Sequence, residues 1–218
     1  MKKSVKQNCL VVLGLMASLT LCSQTMMPDL QDSTKWKVFN RTAESFTENG
    51  KKGIRFNEVE GNGLMILKGS DFSEGIIELD IKGSSKFQQS FVGVFFHGQD
   101  NNTYDAVYCR PFNFKSNEAI RRAHMVQYIN MPQHDWEKLR TEFPGKYEKG
   151  IDPAPGPDEW FHLKISVKGK RISVYINNQQ NPSLEVDKIS SNNKGTLGLW
   201  LGNNSAGSFS NLKFTPAR

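Results

Sequence analysis

The segment Phe161–Asn178, FHLKISVKGKRISVYINN, allows few folds. Phe161, Leu163, Ile165 and Val167 alternate with His162, Lys164, Ser166 and Lys168, and the same two-residue period resumes through Ile172, Val174 and Ile176. Successive side chains of an extended strand point to opposite faces, so this alternation requires strands with one buried and one wetted side. Lys168-Gly169-Lys170 separates the two runs as a tight turn, and together they read as a β-hairpin.

That texture recurs. Further strands are predicted near Trp36–Asn40, Ile54–Val59, Leu64–Lys68, Gly75–Lys82, Phe91–His97, Thr103–Asn113, His124–Asn130, Leu184–Val186, Leu197–Leu201 and Phe209–Thr215. Paired asparagines at 101–102, 177–178, 192–193 and 203–204 punctuate them, since a short amide side chain tolerates turn geometry. More than ten short strands in one chain give an all-β fold of two packed antiparallel sheets. One segment departs from the pattern: in HDWEKLRTEFPG, Trp136, Leu139 and Phe143 fall on one helical face, Asp135 is placed to cap, and Pro144-Gly145 ends the run. The stretch from Pro144 to Pro157, with four prolines and three glycines, is a long loop or rim.

Before residue 24 the chain reads as a secretory leader: Lys2, Lys3 and Lys6, then an apolar run from Cys9 to Leu21. Those 13 residues fall short of the roughly 20 that a membrane-spanning helix needs. The division is thus a signal peptide at 1–23, an N-terminal linker at 24–34 and a β-sandwich domain at 35–218, in a secreted or periplasmic protein. Leu19-Thr20-Leu21-Cys22 loosely matches a lipid-attachment box, which makes an anchor at Cys22 the weaker alternative. Removing the three leader lysines leaves 25 basic against 22 acidic side chains. So small an excess, without a basic stripe, gives no reason to invoke nucleic acid. Past the leader only Cys109 remains, which excludes an intramolecular disulfide, and its alternation with Val107 makes it a small core residue.

Three groups of residues carry candidate chemistry. Glu78 and Asp80, on the polar side of GIIELDIK, stand roughly 6.6 Å apart along a strand. That is compatible with the about 5–5.5 Å between the carboxyl groups of retaining glycosidases, and equally with ordinary wetted carboxylates. In TYDAVYCRPFNF, Val107 and Cys109 suit the core, so Tyr104, Tyr108 and Arg110 share the opposite face. Aromatic rings offer an apolar plane to a sugar's C–H face, and a guanidinium offers a fan of donors. Asn113, Gln127 and Trp200 complete this ligand-binding set. His97 shares its parity with Gly93, where missing bulk leaves room for a ligand, and is the third candidate acid-base group. The four histidines show no metal-ligand spacing and no cofactor is implied, while a structural calcium on loop oxygens would leave little sequence trace.

The blocks DFSEGIIELDIK, FVGVFFHGQDNNTYDAVYCRPFNF, DEWFHLKISVKGKRISVYINN and GTLGLWLGNNSAGSFSNLKF, taken in order, resemble the concanavalin-A-like jelly-roll superfamily. They are most similar to its 3-keto-disaccharide hydrolase branch, over residues 36 to 215. The resemblance implies a jelly-roll sandwich, with 115–157 as an insertion holding the helix. Glu78-x-Asp80 also resembles the Glu-x-Asp-x-x-Glu strand of family 16 glycoside hydrolases, where the first Glu is the nucleophile, the Asp assists and the last Glu is the acid. Here Gly83 stands in the acid's place, and glycine has no proton to give. The expectation is a carbohydrate-recognising domain, binding a glycan on its concave face without the complete family 16 motif. A 3-keto-glycoside hydrolase using Glu78, Asp80 or His97 is the enzymatic alternative, and a laminin-G-like protein-interaction module the third. Oligomeric state is left open.

Overall fold

A computed structural model describes residues 24–217 of the 218-residue chain; the leader and the lipid-box cysteine lie outside the described residues. Strands dominate: β1 (Trp36–Phe39), β2 (Ala43–Glu48), β3 (Lys51–Phe56), β4 (Gly63–Leu67), β5 (Gly75–Lys82), β6 (Val92–Gly98), β7 (Tyr104–Cys109), β8 (Val126–Met131), β9 (Glu148–Lys149), β10 (Trp160–Lys168), β11 (Arg171–Ile176), β12 (Leu184–Asp187), β13 (Thr196–Leu201) and β14 (Gly207–Pro216). Helices α1 (Ala119–Arg122) and α2 (Trp136–Glu142) lie in the insertion. Asp135 caps α2 as its sequence requires, accepting from Lys138 N at 2.9 Å.

The strands form two seven-stranded antiparallel sheets. Sheet I runs β12-β11-β10-β5-β14-β3-β2, and sheet II runs β1-β4-β13-β6-β7-β8-β9. The hairpin from Phe161 forms between β10 and β11, with Leu163 opposite Ile176 and Lys168 opposite Arg171. Each sheet turns one face to a shared core. On sheet I this is Ile77, Leu79 and Ile81 of β5, with Phe161, Leu163 and Ile165 of β10, all at most 2% exposed. On sheet II it is Val92, Val94, Val107 and Cys109, all fully buried. Cys109 is therefore an inert core thiol, its pKa pushed up by burial.

The two sheets differ on their outer faces. On sheet I the outward positions of β5 and β10 are part-exposed, as the alternation demands. On sheet II, β6 and β7 are buried throughout. The segment read as a linker is part of the sandwich. Met26 pairs with Phe214, Leu30 is buried, and Trp36 Nε1 donates to Asp29 O at 2.8 Å. Trp160 lies on the outer side of sheet I against Phe46, because it alternates with buried Phe161.

Candidate functional site

Strand register sets one row of side chains across the outer face of sheet II. Leu64, Trp200, Gly93, Tyr108, Gln127 and Glu148 are successive cross-strand partners from β4 to β9. Directly opposed residues share a face. Gly93 is where the row closes up: a Cβ there would stand 2.1 Å from Val107 O and 2.8 Å from Tyr108 Cβ. The Tyr108 and Trp200 rings meet across it, with centroids 4.7 Å apart. The gap expected to admit a ligand at Gly93 is thus occupied by the protein's own rings.

Most of the predicted ligand set gathers here, tied into hydrogen bonds. Trp200 Nε1 and Asn62 Nδ2 donate to Tyr104 Oη at 3.1 and 3.4 Å. Arg110 Nη2 donates to Tyr108 Oη at 2.8 Å and to Gln127 Oε1, and Tyr108 Oη donates to Gln127 Oε1 at 3.0 Å. Asn113 sits at the end of the row, its Nδ2 donating to His124 O at 2.9 Å. Burial pushes the Tyr108 phenol up to about 12, so it remains a neutral hydroxyl.

These residues form a floor, because each is at most 4% exposed. The accessible surface above them comes from residues that alternation on β7 could not reveal. Trp136, at the first turn of α2, is 45% exposed. It lies between two cavities of about 190 Å³, one bounded by Phe87, Arg110, Arg121, His124 and Arg140, the other by Asn62, Tyr108, Asp135, Trp200 and Asn203. A third hollow of about 350 Å³, with Asn40, Asn101, Asn102 and Tyr104, adjoins the second through Asn62 and Met131. Together they make a trough along sheet II.

Beneath the first cavity lies Glu148, 2% exposed, on a strand too short to be noticed in the sequence. Arg140 donates to both its oxygens, at 2.8 and 2.7 Å, and Arg110 stands 3.6 Å away. His124 Nδ1 is 2.9 Å from Glu148 Oε2 but off-line for a hydrogen bond. Burial lowers the His124 pKa, more than the nearby carboxylate raises it, so the ring is neutral near pH 7.

Glu78 and Asp80 lie elsewhere, on the outer face of sheet I. Register brings His162 opposite Asp80, with Nδ1 2.8 Å from Asp80 Oδ1 and Nε2 3.4 Å from Glu78 Oε1. Lys51 and Asn211 both reach Asp80 Oδ2 at 2.7 Å, and Lys213 lies 3.3 Å from Glu78 Oε2. Partial burial would raise the Asp80 pKa, but the bonds from His162, Lys51 and Asn211 outweigh it and hold it well below the usual carboxylate range. The Glu78 pKa is likewise lowered against burial, by Lys213 and His162. Gly83 at the end of this strand is closed to any side chain: a Cβ would fall 2.4 Å from Pro111 Cγ and 2.5 Å from Ser90 Oγ.

His97 belongs to a third place. The β6–β13 register slips between Gly98–Thr196 and Phe95–Gly198, and His97 takes a left-handed φ of 53°. The bulge breaks parity and turns the ring inward. There Nδ1 is 2.9 Å from Asp105 Oδ2, and Nε2 is 2.7 Å from Ser73 O. Asp105 also accepts from Tyr128, Asn130 and Ser190. Glu78 with Asp80, His97, and Arg110 therefore lie in three separate places, divided by the two sheets and a bulge.

No group of three or more His, Cys, Asp or Glu placed to hold a metal occurs among the described residues. The acid of the Asn-rich loop, Asp100, caps its own turn by accepting from Asn102 N and Thr103 N at 2.7 Å.

The chain belongs to the 3-keto-alpha-glucoside-1,2-lyase-like domain family, whose pattern matches residues 25–215. Solved structures share the sandwich. The carbohydrate-binding module CBM66 from Bacillus subtilis superposes with a TM-score of 0.60 at 15% identity, covering 82% of this chain and 94% of that one. A putative glycosyl hydrolase from Parabacteroides distasonis gives 0.53 at 15% identity, with coverages of 85% and 89%. The VIP36 exoplasmic/lumenal domain, in a form bound to Ca2+ and Man3GlcNAc, gives 0.56 at 9% identity, covering 89% of each chain. At these identities the likeness establishes the jelly-roll fold. No curated protein matches the chain significantly in sequence.

Proposed function

We propose that this is an exported glycan-binding β-sandwich whose ligand lies along the outer face of sheet II. Trp136 carries the reading: a half-exposed indole stands over a trough floored by Tyr108 and Trp200 and rimmed by Asn62 and Asn203. Large rings are normally buried, and an exposed one beside amides suits a sugar, which offers C–H faces to the ring and hydroxyls to the amides. The glycan-related proteins that share the fold support the class of ligand. The reading without ordinary hydrolysis rests on Gly83, where no acid fits. The test is calorimetric screening of neutral and charged oligosaccharides against the wild type and Trp136→Ala. Binding lost in the variant supports the trough, and binding unaffected by it refutes this placement.

Family membership favours a second reading, cleavage of 3-keto glycosides. A 1,2-elimination needs a base to take the proton beside the keto carbon while the glycosidic oxygen leaves C1. His124, a neutral imidazole bordering the trough, is the group there with that character. The Glu78–His162–Asp80 cluster would place such chemistry on sheet I instead. Incubation with oxidised disaccharides distinguishes them: His124→Gln stops turnover in the first case, Glu78→Gln in the second.

A further inference from the structure

The charges around the trough define its ligand further, on the reading that sugars bind sheet II. The cavity beside Trp136 is bordered by three guanidiniums, Arg110, Arg121 and Arg140, and by no carboxylate. The nearest acids stand outside this lining. Glu148 lies buried behind the wall and is engaged by Arg140. Glu118 is solvent-exposed and 3.4 Å from Arg121. Asp135, across in the neighbouring cavity, caps α2. Three guanidiniums thus border the cavity while the three nearest carboxylates, one buried, one exposed and one capping a helix, all stand outside its lining, and His124 adds no charge near pH 7.

The guanidiniums are also held in place. Arg110 lies 4.9 Å from the Tyr108 ring centroid, Arg121 4.5 Å from that of Phe87 and Arg140 5.0 Å from that of Trp136. Arg121 donates to Asn113 Oδ1 at 3.0 Å and to Phe112 O at 2.7 Å. Stacked, preordered guanidiniums lose little freedom on engaging an oxyanion and match it with paired donors. Around this cationic hollow stand Phe87, Ile120 and Trp136, three of the six large apolar side chains exposed among the described residues. An apolar collar over a positive base matches a ring with C–H faces and one anionic substituent.

We infer that this cavity is an anion subsite, and that the glycan it selects carries a carboxylate or a sulfate ester on the sugar seated beside Trp136. Calorimetry on the full chain tests it with trigalacturonate, its methyl ester, sulfated and unsulfated dextran oligomers, and an oligoglutamate peptide. At least one acidic sugar should bind about tenfold or more tighter than its neutral counterpart, the scale of a charged hydrogen bond. A carboxylate source shows in the galacturonate pair and a sulfate source in the dextran pair. Arg121→Gln should erase the preference while Arg121→Lys keeps part of it, both variants still unfolding cooperatively, with midpoints lowered by the lost bonds to Asn113 and Phe112. Neutral and acidic sugars binding alike would overturn the anion subsite and leave the sugar face standing. No binding by any saccharide would overturn both, and oligoglutamate binding as tightly as the best sugar would show a merely cationic surface.

Discussion

Replacing Trp136 by alanine separates recognition from folding more cleanly than any change in the floor. The indole is 45% exposed, so of the roughly 250 Å² an aromatic side chain can bury, about 110 Å² is open to a ligand. A sugar covering about 60–100 Å² of it gains about 1.5–2.5 kcal/mol at about 25 cal/mol per Å². Trp136→Ala should therefore weaken glycan binding about 10- to 70-fold. Folding loses little. The side chain's one cation–π partner is Arg140 at 5.0 Å, worth about 0.5–1 kcal/mol, which in a domain of this size moves the melting midpoint by about 1–4 °C. Calorimetry and a thermal melt on the same samples read both quantities, and Trp136→Phe should fall between. Unchanged affinity in a variant that melts normally would refute the argument.

Other consequences follow from the buried groups. Glu148→Gln leaves Arg110 and Arg140 without their shared anion in a site 2% exposed, and should cost about 3 kcal/mol in urea unfolding. Asp105→Ala removes the acceptor for His97, Tyr128, Asn130 and Ser190, and should destabilise by a similar amount, about 3 kcal/mol, while glycan affinity in the folded fraction is unchanged. The sheet I cluster should act on stability against pH. The raised His162 pKa gives support that is full below about pH 6.5 and lost as pH rises through the folded value. The lowered Asp80 pKa gives support present above about pH 4 and lost as pH falls through its folded value. The melting-point gap between wild type and His162→Asn should hence be widest between about pH 4 and 6.5 and narrow as pH rises through the folded-state pKa of His162. Gly83→Glu should unfold part of the sandwich rather than restore hydrolysis, since Pro111 and Ser90 already fill that space; reducing-sugar assays and melts check it.

The strands were legible because alternation is local: GIIELDIK forms β5 over the very residues its period marks, and the 161–176 hairpin follows its sequence turn. Parity puts Tyr104 and Tyr108 on one face, and there Trp200 meets both, donating to Tyr104 Oη and packing on the Tyr108 ring. Parity failed at His97, where one bulge with a left-handed residue turned the side chain to the core, and such a slip leaves no periodic trace. Parity also cannot say which sheet a strand joins, so it does not reveal that Glu78 and Tyr108 stand on different sheets, β5 in sheet I and β7 in sheet II. Glu148, His124 and Arg140 were missed because the insertion that carries them has almost no alternation. Their one signal was charge: the insertion is dense in ionisable residues, His124, Arg140 and Glu148 among them, and that density singles out none of the three.

Backbone and indole amide spectra recorded during titration with the best-binding oligosaccharide test the choice of face directly. The shifts should concentrate at Phe91, Arg121, Trp136 and Asn203 around the trough. Shifts gathered at Glu78, His162 and Lys213, with the Trp136 indole unmoved, would put the ligand on the opposite sheet and contradict the account.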